Sequence, residues 1–291
     1  MSADLHLHTC FSDGTYTPEE LAALAKQTGL RAVALTDHDT VEGCARMAAA
    51  CRALGVEFIP AAELTAEVSG HEIHFLGYFL DPDNETLLRE LAKFQEVRQG
   101  RIHEMTARLN QAGVPLKAES VFALANCRSP GRPHVARALV QEGFCDTLDQ
   151  AFERFLRKGK PAWVPKFKIS AMEAIRLIHQ AGGLAVMAHP GLNRTDEVIP
   201  ELVQAGMDGL ECFHTKHSTN MTEHYLQIAE QHNLLVTGGS DCHGLNKGKP
   251  LIGTVKVPYR LVERMKEKVL QRAVEGGFLI AQPSPGNPTT S

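Results

Sequence analysis

Asp4-Leu5-His6-Leu7-His8 stands close to the start of the chain, with two imidazoles separated by a single leucine in a short apolar run. If this run is a strand, its side chains alternate in direction. His6 and His8 then face one side together, and Leu5 and Leu7 face the other. The same signature recurs along the chain, an apolar run closing on a histidine or a carboxylate. It appears at Asp13, Thr36-Asp37-His38-Asp39, Glu63, His74, Ala188-His189-Pro190 and Ser240-Asp241-Cys242-His243. Imidazole and carboxylate groups delivered from the ends of several strands are the material of a polynuclear hydrolytic site.

Between these runs lie helical patterns. Residues 5–7, 32–36, 57–62 and 73–79 read as strands, with helices over 18–29 and 41–54, each followed by a glycine stop signal. A second block reads as helix 171–181, strand 184–188, helix 196–205, strand 209–213, helix 220–232, strands 234–238 and 252–257, and helix 259–275. Alternating strands and helices predict a mainly parallel sheet covered by helices, and about seven such units favour a closed α/β barrel of TIM-like type. Residues 85–168 break the rhythm: they are helix-rich, locally basic and without a convincing strand. We read them as a helical cap inserted between the barrel halves 1–84 and 169–281. Residues 282–291, with three prolines, read as a flexible tail.

Composition narrows the partners. The 291 residues are 43% hydrophobic and 22% charged, which is ordinary for a globular protein able to bury a large core. A net charge of −4 offers no general attraction to nucleic acid or anionic membrane, so an anionic substrate has to be captured locally. No DNA-binding module such as a zinc finger is present, and no segment approaches the roughly 18 apolar residues of a membrane span. Seven scattered cysteines without a C-x-x-C pair argue for a reducing compartment, and the reading is cytoplasmic. Cys10, Cys212 and Cys242 lie near candidate ligands, but small buried thiols are common and a thiolate role is disfavoured.

A lone histidine at a strand end is usually structural; six of them with matching carboxylates are not. Mixed imidazole and carboxylate ligands suit Mn, Zn or Fe better than Ca or a soft-metal site. Glu63 is a natural bridging carboxylate. Three divalent ions would outweigh the charge of Asp13, Glu63 and Asp241, leaving a pocket that favours phosphate. His103, His179, His224 and His232 fall in helical patterns and read as solvated or helix-pairing, and parity puts His71 on the face opposite His74. Asp37 and Asp39 flank His38 and read as groups orienting an imidazole. Trp163 reads as cap core.

As a set, H-x-H at His6 and His8, T-D-H-D at 36–39, Glu63, the H-x-x-G-Y around His74, A-H-P at 188–190 and S-D-x-H at 240–243 closely resemble the PHP (polymerase and histidinol phosphatase) family of the amidohydrolase superfamily. The resemblance implies a distorted (β/α)7 barrel with a trinuclear centre, most simply of manganese. One ion would take His6, His8, Glu63 and Asp241, a second Glu63, His74 and His189, and a third Asp13, His38 and His243. Within the family, the stretch Asn126 to His134 and the segment Phe213 to Ser218 resemble stand-alone phosphoesterases acting on nucleoside 3',5'-bisphosphates or short 5'-phosphorylated RNA. The Gly131-Arg132-Pro133-His134 element is similar there to a phosphate clamp, and Arg132 offers a planar fork suited to it.

These resemblances imply hydrolysis of the 3'-phosphate of a nucleoside 3',5'-bisphosphate, or 5'–3' cleavage of short RNA, by a metal-bridging hydroxide. Arg132, His134 and His217 would be the catalytic side chains beside the metals, with Arg128, Lys160 and His214 as further substrate contacts. The competitors are a histidinol-phosphate phosphatase, an amidohydrolase acting on C–N bonds, and a non-catalytic PHP module supporting a partner.

Overall fold

The computed structural model describes residues 1–193 and 195–275, so the expected tail lies outside the described residues. The first half alternates as read: β1 (Ser2–Asp4), α1 (Pro18–Gln27), β2 (Ala32–Leu35), α2 (Cys44–Leu54), β3 (Glu57–Val68) and β4 (His71–Tyr78). Local signals set the helix starts. Thr17 caps α1 in a reciprocal box with Glu20, and Pro18 occupies the first turn, where its missing N–H costs nothing. The intervening segment forms α3 (Glu85–Gln111), α4 (Ala118–Ala125), α5 (Arg132–Gln141), α6 (Leu148–Ala151) and a π-helical turn over Phe152–Leu156.

The second half contains β5 (Ile169–Ser170), α7 (Ala171–Gln180), β6 (Leu184–Met187), α8 (Pro190–Asn193), α9 (Ile199–Gln204), β7 (Gly209–His214), α10 (Thr219–Gln231), β8 (Leu235–Gly239), β9 (Val257–Pro258) and α11 (Arg260–Glu275). The helix expected from 196 is split, starting with a 3-10 turn over Asp196–Val198. The strand expected over 252–257 shrinks to β9, which pairs antiparallel with β1.

The sheet runs β8-β7-β6-β4-β3-β2-β1-β9. Leu5 N–H donates to the Gly238 carbonyl at 3.2 Å, which joins the end of β1 to β8 and closes the ring. Closure needs Gly239, because a Cβ there would overlap the backbone of His6. The result is a distorted seven-stranded barrel. Its distortion is β4, antiparallel to both neighbours. The strand read as ending at residue 62 continues to Val68, leaving Ser69 and Gly70 as a two-residue turn. Both have positive φ, as tight hairpins require.

Alternate residues of β2 (Ala32, Ala34), β3 (Ile59, Ala61) and β6 (Leu184, Val186) fill the barrel together with Leu261, Val262 and Met265 of α11. Leu5 joins this interior, whereas Leu7 packs in the layer under α1 and α2. The two leucines therefore do not share a face as expected, because ladder pairing with β2 stops at Asp4 and the chain then turns toward β8. α3 reaches about 40 Å and belongs to two layers. Leu87, Leu91 and Phe94 pack on the barrel, and Ile102, Met105 and Leu109 enter a separate cluster with Val135 and Leu139 of α5. Among the described residues of this inserted segment there is no strand.

Candidate metal centre

Three sets of ligand atoms converge at the C-terminal rim of the barrel: His8, Asp13, His38 and His243; His6, His8 and Asp241; and Glu63, His74 and His189. Together these are the nine residues singled out from the sequence, with His8 shared between two sets. Glu63 is the hub. Its Oε2 lies 3.3 Å from His6 Nε2, 3.3 Å from His8 Nε2 and 3.2 Å from His38 Nδ1. Its Oε1 lies 2.5 Å from His74 Nδ1 and 3.2 Å from His189 Nε2. Asp241 Oδ1 sits 3.3–3.4 Å from His6, His8 and His243, and Asp13 Oδ1 is 3.2 Å from His243 Nε2.

The topology explains why these side chains meet. His6 and His8 follow β1 and His189 follows β6, while Asp241 and His243 follow β8, all at one end of parallel strands. His74 stands near the start of its strand, yet reaches the same rim because β4 runs the other way. Register pairs Thr65 with His74 and Glu63 with Leu76, so Glu63 and His74 are diagonal neighbours on one face. Of the seven non-glycine residues with positive φ among the described residues, Asp39, His189 and Asp241 lie here. Such strain persists only where surrounding structure enforces it, and it gathers at functional sites.

The arrangement fits divalent ions. Both ring nitrogens of His8, Nδ1 of His38, Nδ1 of His189 and Oδ1 of Asp13 are buried without a hydrogen-bond partner. Unpaired buried polar atoms are costly, and a bound cation would satisfy the lone pairs among them. Two ligand atoms on one ion at bond lengths near 2.1 Å lie about 3.0–3.4 Å apart, which matches most of the spacings above. Burial pushes the Glu63 carboxyl up, but His38, His74 and His6 hold it well below its ordinary value. Burial likewise opposes charging His243, yet Asp13 and Asp241 raise it to about 10. Ion binding therefore has to displace protons.

Comparison with known proteins agrees with this geometry. Residues 4–158 match the PHP domain. A 3',5'-nucleoside bisphosphate phosphatase of Chromobacterium violaceum is 33% identical over 258 residues, 86% of this chain and 90% of that relative. A 5'-3' exoribonuclease of Salmonella typhimurium is 34% identical over 249 residues, 82% of this chain and 84% of the relative. A solved Bifidobacterium adolescentis structure, assigned as a metal-dependent phosphoesterase, aligns with a TM-score of 0.85 at 35% identity, covering 93% of this chain and 96% of that one. The chain belongs to the PHP family. It is a phosphoric ester hydrolase on a PHP barrel, with a centre suited to divalent metal.

Around the PHP site the supports differ from those expected. Asp37 accepts from Thr9 N–H, Thr9 Oγ1 and Ser12 Oγ, so it anchors the loop leading to Asp13 and not an imidazole. Asp39 is drawn to Arg98 of α3 at 2.6 Å. The group that does orient imidazoles is Glu211 in β7, fully buried and absent from the sequence reading. It takes His6 Nδ1 at 2.9 Å and the His189 N–H at 2.8 Å, turning His6 Nε2 into the site. A single acid in the apolar strand Gly209-Leu210-Glu211-Cys212 was its available signal. No cysteine belongs to a candidate metal set among the described residues, and burial pushes the Cys212 thiol up to about 12.

The expected substrate residues divide. Arg132 is half-buried in the first turn of α5, with no hydrogen bond or ion pair among the described residues. His134 is buried, and its Nδ1 accepts the Gly131 N–H at 3.0 Å, which leaves its proton on Nε2. Burial and Arg137 push it down to about 4, so it is a neutral donor. His217 has both ring nitrogens engaged by backbone, Nδ1 facing the Cys212 carbonyl at 2.9 Å and Nε2 accepting from Gly191 N–H at 3.2 Å. His214 takes Lys216 N–H on Nδ1 and turns Nε2 to Asp241 at 3.4 Å, positioning that carboxylate.

Arg128 is exposed and paired with Glu42 at 3.1 Å, and Lys160 is exposed with no site contact. Lys166, one charge of the locally basic segment and not singled out from the sequence, lies 3.2 Å from His74 Nε2 and 2.9 Å from Glu72. His71 faces outward toward Glu197, His179 and His224 pair with Asp208 and Asp196, and Trp163 is half-buried. No helix among the described residues is long and apolar enough to cross a membrane.

Proposed function

We propose that this PHP phosphoesterase removes the 3'-phosphate of nucleoside 3',5'-bisphosphates and, by the same chemistry, trims short RNA from a 5'-phosphorylated end. Three ions, most simply Mn2+ with Zn2+ or Fe2+ as possible replacements, would be held by the nine rim residues. When bound they supply Lewis acidity and bring the pKa of bound water toward neutrality.

The observation carrying the substrate class is the cationic wall between cap and rim. Arg98, Arg101, Arg132 and Lys166 influence one another electrostatically there. Asp39 pairs with Arg98 and Glu72 pairs with Lys166, while Arg101 is spent on the Val164 carbonyl. Of these four, Arg132 alone has no hydrogen bond or ion pair among the described residues, and the neutral donor His134 stands two residues on in the same helical turn. That suits a second phosphate, held by a planar fork while the scissile one lies at the metals. A monophosphate such as histidinol phosphate has no group for it. The relatives named for bisphosphates and RNA support the same reading.

The test is phosphate and nucleotide release by the Mn2+-loaded protein from adenosine 3',5'-bisphosphate, histidinol phosphate and a 5'-phosphorylated oligoribonucleotide. Preference for either nucleotide substrate is expected; activity on histidinol phosphate alone sinks the proposal.

A further inference from the structure

The cap grips the barrel at the peptide that carries one candidate ligand. Ser129 Oγ donates to the His38 carbonyl at 2.6 Å. Gln95 Nε2 donates to the Asp39 carbonyl at 3.1 Å, and Arg98 Nε to the Asp39 carboxylate at 2.6 Å. From the other side, Asp39 N–H donates to the Glu63 carbonyl at 3.0 Å. Gln95, Ser129 and Asp39 are buried, and Asp39 has a φ of 50°. Two separate cap segments, α3 and the loop before α5, thus converge on residues 38–39. Among the described residues, no other candidate ligand has its backbone bonded by the cap.

The other ligands are held mainly by the barrel, with Lys166 beside His74 as the one side chain of the inserted segment that hydrogen-bonds any of them among the described residues. Glu211 fixes His6 and His189, and His214 turns toward Asp241. His38 follows β2 and has no comparable partner there. Its Nδ1 is among the buried atoms without a hydrogen bond, and its ring meets Glu63 and Asp13.

We propose that the inserted cap is a structural part of the Asp13–His38–His243 subsite, with Ser129, Gln95 and Arg98 as positioning residues that hold His38 toward Glu63. The inference rests on the metal-centre reading. Coupling is reciprocal: if a docked cap improves ion binding at this subsite, an ion there tightens the docking of the cap by the same factor. Enclosure of substrate under the cap and completion of the centre then become one event. The other two ion positions are not touched by Ser129, Gln95 or Arg98; among the described residues the inserted segment meets them only through Lys166 beside His74.

The experiment titrates Mn2+ into metal-free wild type, Ser129→Ala, Arg98→Met and Arg98→Lys by calorimetry, with bound Mn2+ counted by elemental analysis. Amide hydrogen exchange of 85–141 is followed through the same titration. Wild type should bind three ions. Ser129→Ala and Arg98→Met should keep two of unchanged affinity and bind the third about 10- to 100-fold more weakly. Arg98→Lys should recover part of the loss. Exchange in the cap should slow as the third ion binds to wild type, and less so in the two weakened variants. Wild-type affinity for all ions in every variant would overturn the proposal, as would equal weakening of all three. Three ions bound by wild type with no change in cap exchange would overturn the coupling alone. Wild type taking up no Mn2+ would overturn the metal centre beneath it.

Discussion

The two ends of the barrel each bury carboxylates, and they treat them differently. At the N-terminal end, Asp208 stands just before β7 and both of its oxygens find donors. Arg272 Nη2 reaches Oδ1 at 2.6 Å, and Arg272 Nη1, His179 Nε2 and the Ala185 N–H reach Oδ2 at 2.8–3.1 Å. Burial alone would raise its pKa, but His179 and Arg272 hold it low. At the C-terminal end, five imidazoles crowd Glu63 while several nearby polar atoms have no partner at all. Asp208 closes a structural network that is complete as it stands. Glu63 belongs to one that needs cations from outside, and this separates a stabilising ion cluster from a site.

The sharpest way to break the comparison is to exchange the consequences of losing each acid. Glu63→Gln should lower phosphate release roughly thousandfold or more and reduce bound Mn2+, while metal-free stability holds or rises. Asp208→Ala should do the reverse. Removing one partner of a buried pair should cost about 2–4 kcal/mol in urea unfolding of the metal-free protein, with bound Mn2+ and kcat unchanged. Similar activity losses in both variants would erase the distinction. Arg132→Ala should sharpen it within the functional end, lowering kcat/KM on adenosine 3',5'-bisphosphate by about 10- to 100-fold. Metal content and hydrolysis of a simple aryl phosphate should be intact; equal loss on both substrates would refute its role. Glu211→Gln keeps the shape but weakens the grip on His6. It should reduce Mn2+ affinity by about tenfold, at the lower end for outer supports of ligands, measured by calorimetry.

Much of the rim was legible because residue type and strand parity together identify a ligand. His6 and His8, two apart on an extended segment, reach one site even though the ladder ends at Asp4. Direction was harder to read. The run 73–79 looks the same whichever way it travels, and only the extension of β3 to Val68 leaves a turn too short for a parallel crossover. Glu211 was readable as an acid in an apolar strand. The cap charges were not, because a linear sequence cannot tell the exposed Lys160 from Lys166, which reaches His74. The surroundings of His217 were hidden for a related reason: its type suits proton transfer, but its two backbone hydrogen bonds depend on Gly191 and Cys212 being folded against it.

The central claim is that the functional end works through metal ions bound at Glu63 and its imidazoles. The direct measurement strips the protein with a chelator and reloads it stepwise with Mn2+. Phosphate release from adenosine 3',5'-bisphosphate is recorded against Mn2+ bound per chain. Activity should be absent from the stripped protein, rise with loading, and fail to return in Glu63→Gln. Stripped protein that hydrolyses the substrate at the loaded rate, with no metal detectable, would contradict the account.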